Sequence, residues 1–450
     1  MRKPISKRTF TIISLGCPKN TVDSEILRGG LTAAGWRYEE AAEKARVIII
    51  NTCGFIRPAK TESIEVIFEA LRLKQHGLID KVIVIGCLTQ RYPEELGREL
   101  PAVDQFFGVD AQADVIRYLT GRKTVSICYE RGRNLMTPHH LAYLKIAEGC
   151  DNVCAFCAIP LIRGRQRSRP MDSLLREAEF LAESGVRELV VIAQDTTRYG
   201  SDLGNGADLA NLMDRLLGMR LFPWVRLMYA NPEFWHPRLT ELFAYPELCR
   251  YLDLPIQHAA DRILQAMQRT SRREMLEQLI TNLRREVPGI ALRTAVMTGF
   301  PGETEEDFKH LMTFIEAMRF ERLGAFYYSE EEGTAAVALK PKVRGNVAGR
   351  RKDQLLEVQW AITREFAEQQ IGKLLPVMID RAETDHYVGR TSWDAPEVDC
   401  EVTITSSKSL QCGLIYPALI TAVDDINWIG TTDIESHQQE KHYEPFKSLS

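Results

Sequence analysis

The sequence predicts an α/β protein in three units: an N-terminal open parallel sheet, a central partial (βα) barrel, and a small C-terminal all-β unit of OB-like type. Two observations carry this. Through most of the chain, short β-branched apolar runs alternate with helix-like segments, the pattern of parallel strands covered on both faces. From about Leu374 the alternation stops, and short strands separated by turns replace it, which is compatible with a five-stranded barrel. A chain of 450 residues is too long for one ordinary core and long enough to fold without staples.

In the first unit the strands are FTIISLG (10–16), RVIIINT (46–52) and KVIVIG (81–86), with VDQFFGVD (103–110) as a fourth candidate. DSEILRGGLTAAG and AKTESIEVIFEALRLKQ read as the helices between them. The stretch 121–140, with Arg131-Gly132-Arg133 and Thr137-Pro138, reads as a linker. The middle supplies six strand candidates, LAYLKIA, ELVVIAQD, WVRLMYA, YLDLPIQ, ALRTAVMTGF and RLGAFYYS, most of them separated by helices. Residues 343–373 read as a long charged helix pair that closes this unit. The last unit contains PVMIDRAE, HYVGRTS, DCEVTITS, LIYPALITAVD and NWIGTTD. The polar tail 435–450 is expected to fray. The expected divisions are 8–125, 136–373 and 374–440.

A composition of 45% hydrophobic and 26% charged residues with a net charge of −4 is that of a globular protein with no general affinity for nucleic acid or membrane. The basic start MRKPISKRTF leads into an apolar run that ends at Gly16-Cys17-Pro18, too short for a secretory signal, and no run reaches membrane-span length. The expected compartment is the cytoplasm. There, ten cysteines are read as metal ligands or catalytic groups before disulfides. Cys128, Cys249, Cys400 and Cys412 share no context and read as small packing residues.

Cys150, Cys154 and Cys157 lie in EGCDNVCAFCAIP, directly after the strand LAYLKIA. Three thiolates this close can wrap one metal centre, and thiolates suit iron–sulfur clusters and zinc. A structural zinc site wants four ligands, and a fourth Cys or His is missing nearby. Three ligands on a four-iron cube leave one iron open. A zinc knuckle with a distant fourth ligand, or three buried thiols, are the alternatives.

Cys17, Cys53 and Cys87 each follow a strand candidate by zero or one residue, 36 and 34 residues apart. That spacing is one βα unit, so the three occupy equivalent positions. Ligands bind outside the carboxyl ends of strands in open parallel sheets, so these thiols are placed to converge on a second open centre. Three unrelated buried cysteines are the other reading.

The Cys-x3-Cys-x2-Cys spacing, with Phe156 before the third cysteine, resembles the radical S-adenosylmethionine superfamily. SLGCPKN, NTCGFI and VIGCLTQR resemble the N-terminal domain of the methylthiotransferase family, which carries an auxiliary 4Fe-4S cluster on three such cysteines. The likeness extends through EGCDNVCAFCAIPLIRGRQRSRP, VVIAQDTTRYGSD, YLDLPIQHAADRIL and RTAVMTGFPGETEEDF to a C-terminal unit resembling a TRAM domain. NTCGFIRPAKTESIEVI, YYSEEEGTAA and GRTSWDAPEVDCEV are closest to the RimO type. One departure is Ala155, where Thr is more usual; it touches no ligand. The resemblance implies two 4Fe-4S clusters, with Cys150, Cys154 and Cys157 as the catalytic set and Cys17, Cys53 and Cys87 as the auxiliary set. It implies S-adenosyl-L-methionine as cofactor and β-methylthiolation of an aspartate in the twelfth small-subunit ribosomal protein. An electron donor such as a flavodoxin or ferredoxin and a sulfur donor are then required. The alternatives are methylthiolation of a tRNA adenosine, and a non-catalytic iron–sulfur or zinc RNA-binding protein.

Four further features carry expectations. Gly299 and Gly302 in GFPGETEEDF allow backbone amides to approach a ligand, and the resemblance places the cofactor near this strand; a plain turn capped by Thr304 is the other reading. Arg163, Arg165, Arg167 and Arg169 alternate, so an extended segment would put them on one basic face; a solvated loop with ion pairs competes. Gln257-His258 ends a strand, with His258 a proton donor, a substrate contact or a structural histidine. Across 374–431, nine acids face three bases, a balance of −6. That unit is expected to bind a basic ribosomal protein and not tRNA, because phosphate binding wants a basic groove. Tyr387, Trp393, Tyr416 and Trp428 could stack on bases or serve packing.

Overall fold

The computed structural model describes residues 8–204 and 206–434. The expected tail at 435–450 lies outside the described residues. The first sheet contains β1 (Thr9–Ser14), β2 (Arg37–Tyr38), β3 (Val47–Thr52), β4 (Lys81–Gly86) and β5 (Gln105–Phe107), in the order β2-β1-β3-β4-β5. All pairs are parallel. The central strands are buried on both faces, as their unbroken β-branched sequences require. Val47 and Ile49 pack with Leu27, Leu31 and Val115, whereas Ile48 and Ile50 pack with Ile67 and Ala70. The edge strand β2 was not foreseen, because two residues, Arg37 and Tyr38, carry no apolar period. Register sets Ser14 beside Asn51 and Thr52 beside Gly86. The residues that follow β1, β3 and β4 therefore leave one edge of the sheet side by side.

The central sheet contains β6 (Leu141–Lys145), then, after a two-stranded ribbon of β7 (Ala147–Glu148) and β8 (Arg167–Ser168), β9 (Glu188–Ile192), β10 (Trp224–Leu227), β11 (Leu248–Asp253), β12 (Ala291–Thr298) and β13 (Arg322–Tyr327). Its order, β13-β12-β11-β10-β9-β6, is a parallel partial barrel. Helices cover one face through residues such as Leu174, Leu212, Ile280 and Phe314. The other face, with Tyr143, Val190, Trp224 and Tyr251, is covered by Val22 and Ile26 of helix Pro18–Ala33 and by Met378 and Ala395 of the last unit. The flanking units thus supply the inner wall that six strands cannot close alone.

Residues 343–373 form one helix, Gly345–Glu368, not a pair. No proline or turn sequence interrupts it, and Leu355 and Ile362 bury against the central core. The stretch 121–140 lacks regular structure but is clamped: Arg133 is buried between Glu25 and Glu177.

The last unit is a closed barrel of β14 (Leu374–Ala382), β15 (Tyr387–Thr391), β16 (Val402–Thr405), β17 (Ile415–Asp424) and β18 (Asn427–Thr431), in the order β14-β15-β16-β18-β17. Part of its negative balance is internal, while Glu383, Asp385, Glu397, Asp424 and Asp425 are exposed. Asp394 pairs with Arg322 at 2.5 Å, and Asp399 accepts from Arg293 at 3.3 Å and from Tyr251 Oη at 2.7 Å. Asp380 holds His140 at 2.9 Å and Arg390 at 2.7 Å. These three acids help seat the barrel on the central unit. Trp428 is fully buried with its Nε1 donating to Ala367 O, and Trp393 donates to Gly289 O, so both tryptophans serve packing. Tyr387 and Tyr416 accept from Leu410 N and Gln411 N. Among the described residues no helix is long and apolar enough to cross a membrane.

Candidate metal and cofactor site

Cys17 caps helix Pro18–Ala33, Cys53 follows β3, and Cys87 opens the short helix Cys87–Arg91. Their loops approach because glycine makes room. At Gly16 (φ +91°) a Cβ would stand 2.7 Å from Cys53 Cβ and 3.0 Å from its Sγ. At Gly86 (φ +109°) it would stand 2.4 Å from Asn51 Oδ1. Both positions need the left-handed freedom of glycine. Ser63 clips the second loop, accepting from Cys53 N at 3.1 Å and donating to Cys53 O at 3.0 Å. Asn20 ties the loops together: its Nδ2 donates to Leu15 O and Thr52 O, and its Oδ1 accepts from Cys87 Sγ at 3.8 Å.

Cys150, Cys154 and Cys157 lie on the loop between β7 and helix Ile159–Arg163. Cys150 N donates to Gly164 O, and Ala155 is pinned between Met267 O and Ala336 N at 2.9 and 2.8 Å. Arg269 Nη1 donates to Cys154 Sγ at 3.8 Å while its Nη2 holds Asn231 Oδ1 and Pro255 O. Asp195, at the end of β9, accepts from Asn152 at 2.6 Å and Asn231 at 3.2 Å.

All six thiols line one cavity of about 350 Å³, together with Lys19, Arg163, Gln194, Asp195, Tyr229 and Arg269. All six are unpaired. Burial pushes Cys53 and Cys157 up to about 12 and Cys150 up to about 11, and it raises Cys87. Thiolates here require a positively charged partner, which a metal centre provides. Each set offers three soft donors and no fourth, the donor set of a 4Fe-4S cluster with one open iron. Among the described residues no three His, Cys, Asp or Glu side chains are arranged to hold a single metal ion.

A buried charge network forms the joint beneath both sets. Arg163 donates to Asp23 at 3.2 Å, Glu148 at 2.8 Å and Asn20 Oδ1 at 2.5 Å. Lys145 bridges Glu148 at 2.7 Å and Asp23. Gln194 donates to Glu148 at 2.8 Å. Lys19 is 7% exposed and lies 3.1 Å from the Tyr229 ring centroid. Burial lowers its pKa to about 8.

Family profiles match the chain in three stretches: an uncharacterized protein family, UPF0004, over residues 9–108, the Radical SAM superfamily over 144–315, and a TRAM domain over 371–432. The chain is 43% identical over 428 residues to the ribosomal protein uS12 methylthiotransferase RimO of Phocaeicola vulgatus, covering 94% of this chain and 99% of that protein. It is 44% identical over 425 residues to the protein of the same name from Chloroherpeton thalassium, covering 93% and 97%. The chain belongs to the RimO family. Radical S-adenosylmethionine methyltransferase TsrM from Kitasatospora setae shares the fold, with a TM-score of 0.55, 15% identity, and coverage of 79% of this chain and 89% of that one. A second TsrM structure, with cobalamin and a [4Fe-4S] cluster bound, has a TM-score of 0.53 at 16% identity, covering 84% and 81%.

Within this RimO-family chain, several sequence expectations change. The four alternating arginines do not share a face. Arg163 is buried in the joint, Arg165 pairs with Asp151, Arg167 with Asp110 and Arg169 with Glu177. The helix ending at Arg163 and the positive φ of Gly164 (+73°) break the extended geometry on which the shared face depended. Gly299 and Gly302 lie in the turn after β12. The amides of Gly299 and Phe300 donate to Glu303 at 2.6 and 3.2 Å, and Gly302 N donates to Pro341 O. The turn is capped by Thr304 and Asp307 in a reciprocal box. His258 is fully buried, accepts from Ala260 N at 2.9 Å, and is driven by burial down to about 3, so it is neutral; Gln257 beside it lines the cavity. Of the four isolated cysteines, Cys249 and Cys400 are buried and Cys412 is half-buried, but Cys128 is exposed and is not a packing residue. Lys19, Asn20, Arg269 and Asp195 were not foreseen. The available signal was KNTVDSE after Cys17, a polar run whose Lys19, Asn20, Asp23, Ser24 and Glu25 are all buried.

Proposed function

We propose that this chain is a radical S-adenosylmethionine methylthiotransferase that places a methylthio group on the β-carbon of an aspartate in ribosomal protein uS12. The observation that carries the reading is the shared cavity: two independent sets of three thiols, one from the loops of the first sheet and one from the loop after β7, open into the same space. Cys150, Cys154 and Cys157 would hold the catalytic 4Fe-4S cluster, and Cys17, Cys53 and Cys87 the auxiliary one. When bound, these clusters and S-adenosyl-L-methionine supply reductive cleavage, hydrogen removal from an unactivated carbon, and transfer of sulfur and methyl.

The chain's own residues position and protect. Asn20 and Arg163 fix the auxiliary loops against the catalytic loop, so the distance between the two sets is set by a hydrogen-bonded joint. Asn152, Asp195 and Asn231 hold the mouth of the catalytic loop to the ends of β9 and β10. Arg269 places a cation beside Cys154. The inner wall formed by helix Pro18–Ala33 and the barrel closes the floor to water.

The divisions 8–125, 136–373 and 374–440 fit this assignment. An electron donor such as a flavodoxin or ferredoxin and a sulfur donor complete the reaction, in the cytoplasm, with tRNA not expected as substrate. The test is mass spectrometry of uS12 and of tRNA from cells lacking the protein and from complemented cells. Methylthiolated uS12 that disappears and returns with the gene supports the reading. A missing methylthio group on tRNA adenosine instead would move the substrate to tRNA. Absence of 5′-deoxyadenosine from reduced, cluster-loaded protein would make the chain a non-catalytic binder.

A further inference from the structure

We propose that Lys19 binds the side-chain carboxylate of the substrate aspartate and so selects aspartate over its neutral isostere. The proposal rests on the methylthiotransferase reading above and adds the residue that recognises the target.

Three cationic side chains line the cavity: Lys19, Arg163 and Arg269. Two are committed. Arg163 is neutralised by Asp23 and Glu148. Arg269 is paired with Glu233 at 3.0 Å and holds Asn231 and Pro255 O. Lys19 has no carboxylate within ion-pair distance and donates no hydrogen bond among the described residues; its ammonium lies against the face of Tyr229, and Cys17, Asp253 and Glu148 act on it only through space. A cation this buried without an anionic partner is costly unless something supplies the charge. The cavity's own carboxylate, Asp195, makes no ion pair with Lys19 and is held instead by Asn152, Asn231 and Thr197.

The backbone is strained to keep this arrangement. Tyr229 (φ +59°) and Gln257 (φ +70°), both lining the cavity, sit in the left-handed region without being glycine. Tyr229 is held there by Asp253, which accepts from its N–H at 3.1 Å, and by Thr196, whose N–H donates to its carbonyl. Such strain persists where surrounding bonds over-determine it, and it concentrates at ligand clamps. Here the Tyr229 ring lies against the ammonium, and both residues line the cavity that the two thiol sets share. The aspartate β-carbon lies one bond from its carboxyl carbon. A carboxylate anchored at Lys19 therefore holds the reacting carbon within the cavity that both sets share.

The test uses cluster-loaded full-length protein, a uS12 loop peptide carrying the aspartate, and the same peptide with asparagine in its place. Calorimetric titration of wild-type protein should show about tenfold or greater preference for the aspartate peptide, as expected for a charge-assisted contact. Lys19→Met should remove that preference while retaining wild-type iron content, and Lys19→Arg should restore part of it. A wild-type protein without preference, or a Lys19→Met variant that keeps it, overturns the proposal. Loss of iron in Lys19→Met would assign the residue to the auxiliary set, and a changed dependence on S-adenosylmethionine with unchanged peptide preference would assign it to the cofactor; both overturn it. Methylthiolation of intact uS12 by wild-type protein is scored separately, so failure of the function and failure of this residue's role are distinguishable.

Discussion

Replacing Arg163 by Met should loosen the joint between the two thiol sets. Its side chain is 2% exposed and makes hydrogen bonds to Asp23, Glu148 and Asn20. In the intact network Asp23 and Glu148 balance Lys145 and Arg163. Met keeps much of the stem but leaves two buried carboxylates sharing one ammonium, a net charge of −1. Removing one partner of a buried, hydrogen-bonded network costs about 3–5 kcal/mol. At roughly 2–4 °C per kcal/mol for a unit of this size, the first melting transition should fall by about 10 °C. The assay is scanning calorimetry on the cluster-loaded variant. Adding Glu148→Gln returns the network to neutrality and should recover part of the loss. A single variant melting within about 1 °C of wild type would refute the claim that this network joins the units, since an ordinary surface substitution has an effect that small.

Three further outcomes are expected. Gly16→Val should lose the auxiliary iron and spare the catalytic set, because its Cβ would stand 2.7 Å from Cys53 Cβ at a φ of +91°; full iron in this variant contradicts the geometry. Cys154→Ala should abolish 5′-deoxyadenosine release, whereas Cys17→Ala/Cys53→Ala/Cys87→Ala should still release it without forming methylthio product. Burial alone would raise the pKa of Glu331, but bonds from Lys60, Arg91 and Ser329 outweigh it and hold the carboxyl below its usual range. A depressed carboxylate contributes stability that is present above the unfolded pKa, about 4.3, and lost as pH falls through the folded one. Wild type should therefore melt above Glu331→Gln at pH 7, with the gap closing below about pH 4; a gap independent of pH would contradict the ion pairs.

The longer strands were legible because most are apolar runs, and every predicted central strand from LAYLKIA to RLGAFYYS corresponds to a strand of the partial barrel, whereas the two-residue strands β2, β7 and β8 carry no such signal. The cysteines were legible because spacing alone separates three residues on one loop from three residues on consecutive βα units. Charge was not legible in the same way. An acid count does not separate the exposed acids of the barrel from Asp394 and Asp399, which face Arg322 and Arg293, partners more than 70 residues away in sequence. The arginines after the catalytic loop failed for the same reason: alternation predicts a face only while the backbone stays extended. Lys19 and Arg163 have identical formal charge, and only tertiary pairing distinguishes the neutralised cation from the unpaired one.

On the proposed assignment, two independent three-thiol sets each hold a cluster in one shared cavity. Iron analysis and Mössbauer spectroscopy of anaerobically reconstituted protein, wild type beside the Cys17/Cys53/Cys87→Ala and Cys150/Cys154/Cys157→Ala triple variants, test it most directly. About eight irons in wild type and about four in each triple variant, all as 4Fe-4S, are predicted. Full iron in either triple variant, or about four irons in wild type, would contradict it.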